Sequence, residues 1–303
     1  MLRVPRPALS LLAGLIVVVA SACSSSAATF APGGASGPTG SPAAAASAAN
    51  PNDPNSIITS ALSGGSAIKS FHIKVEVSGT IKKEILQGEA GSSGAAITSD
   101  VKLDGTAIEG DVDVANLAAN LSFNVPPMAM LGNVPLTGSL IVKDNVLYYK
   151  VSLLGPKYTK MDLGSLSGLT SGLPLPTPGA AATMSLTDEL TQLKAQMDAA
   201  GVKVTLVGVD KIGGQDADHI NISLPLDSIN SEIAASSPSP AVSIDSASID
   251  VWIYKANYQL AKVEVKGASS AIGNLDFVLT ITNYDAPVTI NAPAASDINP
   301  AAP

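Results

Sequence analysis

From Phe71 onward the chain alternates: Phe71, Ile73, Val75 and Val77 are apolar, and His72, Lys74, Glu76 and Ser78 between them are polar. A period of two puts the first set on one face of a strand and the second on the other, so this stretch is a half-buried β-strand. The alternation recurs in Asp111 to Asn116, with Val112 and Val114, then in Leu121-Phe123-Val125, Gly138-Leu140-Val142 and Leu147-Tyr149-Val151-Leu153. It returns in the C-terminal half, in Val202 to Ile212, Ala217 to Leu224, Ile249 to Lys255, Leu260 to Gly267 and Leu275 to Tyr284. Lys143-Asp144-Asn145 is a hairpin turn signal between two of these runs. Many strands joined by short turns predict a large antiparallel sheet, since parallel pairs need long crossovers.

Three helical patterns accompany the strands. Pro54 to Ser70 has Ile57, Ile58, Ala61, Leu62 and Ile68 at helical spacing, with Asn55 or Ser56 as cap. Ser185 to Gly201 has Thr187 as cap, Asp188 and Glu189 in its first turn, and Leu186, Leu190, Leu193 and Met197 on one side. Leu226 to Ser236 carries Ile229 and Ile233. Each apolar stripe is narrow, as for a helix packed on one side of a sheet. The fold class expected is therefore α+β. Gly164 to Ala182, rich in Leu, Gly, Ser and Pro, has no period and reads as a long loop of the kind that forms lids or mouths. The run from Val125 through Pro126, Pro127 and Met128 to Leu131 reads either as a buried connection or as an apolar rim touching lipid.

What precedes the strands is leader and tether. Arg3 and Arg6 are followed by an uncharged apolar run from Ala8 to Ala20 and then by Ala20-Ser21-Ala22-Cys23. That order is a secretory signal peptide, and the run is shorter than the roughly 20 residues needed to span a bilayer as a helix. Small residues directly before the only cysteine resemble the bacterial lipobox, with alanine rather than the commoner leucine at position 20. The resemblance implies cleavage before Cys23 and a thioether-linked diacylglycerol on it, which anchors the protein on the outer face of the cytoplasmic membrane. Residues 1–22 are thus expected as leader and 23–55 as a disordered Ser/Ala/Gly/Pro tether. A single domain then covers 56–293, with 294–303 as a free tail.

Composition narrows the function. Formal net charge is −8, and removing Arg3 and Arg6 with the leader takes it to −10, with no basic run to neutralise phosphates. A nucleic-acid partner is excluded on that ground. One cysteine precludes an internal disulfide, so the domain stands on packing. Aromatic residues are only 4% of the chain. A core of Val, Ile, Leu and Ala must either pack many small side chains closely or leave apolar room inside. No Gly-x-Ser-x-Gly elbow and no phosphate loop is present. His72 and His219 occupy polar strand positions and read as exposed. The pairs Asp111/Asp113 and Asp216/Asp218 read as a solvated edge or turn, too few in oxygen ligands for calcium. No catalytic residue, metal site or cofactor is expected.

Two segments carry a family resemblance. Asp144-Asn145-Val146-Leu147 with Tyr149-Lys150, followed by Lys157-Tyr158-Thr159-Lys160-Met161-Asp162, resembles a stretch of the mycobacterial LppX/LprG lipoproteins. Val251-Trp252-Ile253-Tyr254, Leu260 to Val265, and Tyr284-Asp285-Ala286-Pro287-Val288 with Ile290 and Pro293 are similar to that family's closing strands. With Ser56 and Phe71-His72-Ile73 the likeness spans most of 56–293, and it departs where Gly164 to Ala182 replaces a more helical segment. It implies a LolA-like half-barrel, a strongly curved antiparallel sheet packed on a few helices, with an apolar cavity for the acyl chains of a lipid or glycolipid carried in the envelope. The inward residues expected to line it are Phe71, Ile73, Val75, Val77, Phe123, Leu140, Val142, Leu147, Tyr149, Val251, Ile253, Phe277 and Leu279. The alternative is an envelope scaffold or sensor with a filled core and a protein partner on its acidic outer face.

Overall fold

The structure is a computed structural model, described here for residues 50–64, 68–85, 99–128, 133–163, 199–236 and 243–300. Cys23 and the leader, the loop at 164–182 and nearly all of the helix expected at 185–201 lie outside the described residues.

Asp53 starts the first helix, α1 (Pro54–Gly64): its side chain accepts from the Asn55 N–H at 3.1 Å, and its carbonyl accepts from the Ile57 N–H at 3.1 Å. The cap is therefore Asp53 rather than Asn55 or Ser56. Pro54 suits the first helical position, where its missing N–H leaves no bond unmade. The helix ends at Gly64, short of the expected Ser70, and Ile68 joins the core from the connection that follows.

Twelve strands form one sheet: β1 (Ser70–Ile81), β2 (Val101–Lys102), β3 (Thr106–Asp113), β4 (Ala118–Val125), β5 (Leu136–Lys143), β6 (Val146–Val151), β7 (Thr159–Asp162), β8 (Lys203–Ile212), β9 (Gln215–Ser223), β10 (Ser246–Tyr254), β11 (Leu260–Ser269) and β12 (Gly273–Thr282). The second helix, α2 (Leu226–Ser236), joins β9 to β10 with the bounds expected of it. The order across the sheet is β7-β6-β5-β4-β3-β1-β12-β11-β10-β9-β8, with β2 beside β1, and every strand pair is antiparallel. Two meanders, one from each half of the chain, thus meet at a single seam between β1 and β12. The sheet is open and curved.

Local chemistry explains the turns and bends. Lys143 pairs directly with Val146, and Asp144 and Asn145 between them have φ of 51° and 61°, the two-residue turn that Asp and Asn tolerate. Gly79, with φ of 123°, lies so close to the Asn274 carbonyl that a Cβ would collide with it, and it kinks β1 toward its end. The expected strand at 111–116 is displaced: β3 runs from Thr106 to Asp113, and Asn116 sits in the turn, its N–H donating to the Asp113 carboxylate at 3.0 Å. Gly110 occupies an inner position of β3, which hides the alternation there. Leu153 belongs not to β6 but to the short 3-10 turn Ser152–Leu154 that follows it.

The two faces are covered differently. On the inner face α1 seals β8 to β10: Ile57 packs on Ile220 and Ile253, with Val204, Leu206 and Val251 around them. On the outer face the chain after β12 acts as a strap. Asp285 ties it to β1 by accepting from the Lys69 N–H at 2.7 Å and donating its own N–H to the Ser70 carbonyl at 2.9 Å. Val288 and Ile290 then pack with Ala118, Ile141 and Tyr148 of β4 to β6. Residues 294–300 are not the free tail expected: Ile298 bridges Tyr158, whose N–H donates to the Asp297 carbonyl and whose carbonyl accepts from the Asn299 N–H, both at 2.8 Å.

Because Ile290 is buried against Ile141 and Tyr148, Ile290→Ala is expected to lose about 2–5 kcal/mol of stability in urea unfolding. An unchanged midpoint would show that the strap holds nothing down.

Candidate functional site: the aliphatic inner face

Directly opposed residues in an antiparallel pair point to the same face, so the register assigns faces across the whole sheet. One row runs Val251–Val263–Leu279–Val75–Ile108–Phe123–Gly138–Val151. The next runs Ile281–Ile73–Gly110–Leu121–Leu140–Tyr149. Val142 opposes Ala119 and Leu147, Phe277 opposes Val77 and Val265, and Phe71 opposes Val112. All thirteen residues picked from the alternation therefore stand on the inner face, the one that carries α1.

Their packing divides them. Phe71 and Leu279 are buried in one cluster with Val263 and Ile281, and Ile73, Val75 and Phe277 lean on it. Ile253 is fully sealed under α1 beside Ile57, and Val251 packs at its margin. These are core contacts already made. Phe123, Leu140, Val142, Leu147 and Tyr149 on β4 to β6 are only half-buried and belong to none of the buried clusters among the described residues. Ile108 beside them is 39% exposed. The Phe123 ring lies over Gly138, where any Cβ would strike it, so a glycine in β5 makes the shelf on which that ring rests.

Several inner-face residues escaped the sequence-based choice: Ile108 and Leu121 near the open half, Met161 on β7, and Val204, Leu206, Ile220, Ile222, Val263 and Val265 on the closed half. The same alternation marks most of them. Aromatics gather at one end of the sheet: Tyr284 lies 6.3 Å from Phe71 of the inner face and 6.4 Å from Tyr254, which shares the face of Trp252, centroid to centroid, and its hydroxyl donates to the Leu260 carbonyl at 2.6 Å. Burial pushes the Tyr254 phenol above its ordinary pKa.

The outer face is polar and paired. His72 Nδ1 lies 2.8 Å from Asp111 Oδ1 and its Nε2 3.2 Å from Glu109 Oε1. His219 lies between Asp250 at 3.0 Å and Asp210 at 3.2 Å, and it stacks on Trp252 at 4.3 Å. The Trp252 N–H donates to Asp210 at 2.8 Å, and Lys262 sits over the opposite reach of the indole, 4.3 Å from the ring centre. Burial raises the pKa of the Glu264 carboxyl, but hydrogen bonds from Lys262 and Lys266 outweigh it and hold the group below its ordinary range. Both histidines are thus partly buried and engaged, not the free strand histidines expected. Asp218 is likewise no solvated edge residue: it is buried and accepts from Lys255 Nζ at 2.8 Å. An open depression of about 590 Å³ beside β5 and β6 is lined by Thr137, Gly138, Ser139, Lys150, Ser152, Gly155 and Pro156.

Among the described residues no group of three or more His, Cys, Asp or Glu is placed to hold a metal ion. No helix among them is long and apolar enough to cross a membrane, which says nothing of strands.

No family model and no curated protein matches the chain. Solved structures do: the lipoprotein LppX of Mycobacterium tuberculosis at 16% identity and TM-score 0.40, covering 78% of this chain and 97% of that one. LprF from Mycobacterium bovis matches at 18% and 0.42, covering 82% and 100%. The chain is similar to these lipoproteins. A LolA superfamily protein from Nitrosomonas europaea follows at 10% identity and TM-score 0.20, covering 76% of this chain and 92% of that one.

The His72 site makes a pH-dependent contribution. Its hydrogen bond to Asp111 chiefly, opposed by desolvation and helped by Glu109, raises its pKa above the reference 6.5. Both ring nitrogens face carboxylates that only accept, so the imidazolium is the form that satisfies both. A raised folded-state pKa means the stabilisation is complete below 6.5 and is lost as pH rises through the folded value. His72→Gln should therefore cost more stability near about pH 5.5 than near about pH 8.5, read from thermal unfolding at each. An equal loss at both would contradict the pairing.

Proposed function

We propose that this chain is an envelope lipoprotein, anchored through acylated Cys23 outside the cytoplasmic membrane, that holds the hydrocarbon tails of a lipid or glycolipid against the open half of its inner sheet face. The observation that carries the reading is the contrast along one face. The β8 to β10 half is sealed by α1, while Phe123, Leu140, Val142, Leu147 and Tyr149 form an aliphatic and aromatic wall with no buried cluster of described residues against it. A wall of this kind gains about 0.8 kcal/mol for each CH₂ it removes from water, so a chain of a dozen carbons or more is a sufficient guest. Head groups need only a tolerant exit, because the polar chemistry of the protein is concentrated on the opposite face.

Lipidation supports the same reading by place. A two-chain anchor keeps the domain beside the bilayer, and a spacer of some 30 residues lets it move tens of ångströms from the anchor point. Binding of this kind needs no catalytic group, and the titratable side chains described above are already occupied with one another.

The wall can be tested by volume. Val142→Phe is expected to leave stability nearly unchanged and to reduce uptake of a fluorescent fatty acid severalfold, because the ring fills space a guest would take. Val75→Phe, in contrast, pushes into the cluster around Leu279 and is expected to cost about 1–3 kcal/mol. If Val142→Phe destabilises as much as Val75→Phe and uptake does not change, the open half is an ordinary filled core and the scaffold reading replaces the carrier.

A further inference from the structure

We infer that one corner of the sheet, where β5 begins and β6 ends, is a docking surface for an anionic lipid bilayer. The corner is defined by register: Gly138 pairs with Val151, and just beyond them Ser152 clamps the two connections together, accepting from the Thr137 N–H at 3.1 Å and donating to the Pro135 carbonyl at 3.4 Å. The clamp fixes the turn Ser152–Leu154 to the segment that leads into β5 without burying any of its residues. Leu153 is 54% exposed, Leu154 68% and Val134 44%. Two consecutive leucines on a braced turn, each more than half exposed, are costly in water and suited to the boundary between head groups and acyl chains.

Charge distinguishes this corner from the other exposed apolar positions. The protein has 25 acidic residues against 17 basic ones. Yet residues 126–137 and 150–160 contain no Asp or Glu and carry Lys150, Lys157 and Lys160. An acidic protein that keeps carboxylates out of the segments around this pair of exposed leucines, and carries lysines in them, matches a surface that is apolar within and negative at its face. Lysine stems lie along apolar surface while their ammonium groups reach the phosphates. Leu117, at 80%, is more exposed still, but it stands alone at the opposite end of the sheet beside Asp113.

The inference deepens the carrier reading and rests on it for its purpose, since the corner adjoins Phe123, Leu140 and Tyr149 and would set the open wall against the membrane from which a lipid is taken. Its physical content is independent of that purpose.

The test uses the chain from Ser24 to Pro303, which retains every described residue and lacks the acyl anchor. Co-sedimentation is measured with vesicles of phosphatidylcholine containing about a third phosphatidylglycerol, and with phosphatidylcholine alone. Binding is expected to the anionic vesicles and to be severalfold weaker without phosphatidylglycerol. Leu153→Asp combined with Leu154→Asp should reduce it more than tenfold with an unchanged melting temperature, since both side chains are exposed, while Leu117→Asp should leave it unaltered. Absence of vesicle binding by the unaltered chain, or equal binding by the double variant, overturns the docking surface. Fatty-acid uptake in vesicle-free solution separates the two claims. Intact uptake without vesicle binding overturns the docking alone, and vesicle binding without any uptake overturns the carrier reading alone.

Discussion

One continuous hydrogen-bonded sheet, running from β7 through the β1–β12 seam to β8 with register shifts only at Trp252/Ile253 and Leu206/Gly208, decides everything else about this protein. Because side chains alternate with a period of two, a slip of one residue at that seam would turn the C-terminal meander over with respect to the N-terminal one. The pairs Ile73–Ile281, Val75–Leu279 and Val77–Phe277 hold the seam where both halves present aliphatic side chains to the same side. His72, Lys74 and Glu76 are thereby committed to the other.

From that division follow the covers. The inner face is closed over β8 to β10 by α1, and the outer face over β4 to β6 by the strap that ends at Ile298. Among the described residues the covers are diagonal, α1 on the β8 to β10 half of one face and the strap on the β4 to β6 half of the other. On the outer side the bare half, around Trp252 and His219, satisfies itself with ion pairs and hydrogen bonds. On the inner side the half left uncovered among the described residues is Phe123, Leu140, Val142, Leu147 and Tyr149, which have no such means, because aliphatic groups are satisfied only by other apolar matter. In the proposed function that apolar matter is hydrocarbon.

Much of this was legible in the sequence where the pattern is local. The alternation in β1, β4 to β6 and β8 to β12 follows from side chains two apart, and the bounds of α2 from a short helical stripe. β3 was misplaced because Gly110 occupies an inner position and erases the alternation there, while Asp111 and Asp113 look like turn residues. The two-residue β2 and the four-residue β7 are too short to show a period. The seam, the α1 cover and the strap depend on partners some 200 residues apart and have no local signature. For the same reason Ile253, chosen for its strand pattern, proved to be floor beneath α1 rather than open wall, and Asp218, beside turn glycines, proved buried with Lys255. Leu153 reads as strand because the alternation continues into it, and only the turn Ser152–Leu154 shows it outward.

The most direct measurement is native mass spectrometry of the Ser24–Pro303 chain, exported without its acyl anchor and purified without detergent. The account predicts protein masses increased by one bound lipid, removed by organic extraction and restored by incubation with phospholipid vesicles. A single ligand-free mass before extraction and after incubation would contradict it.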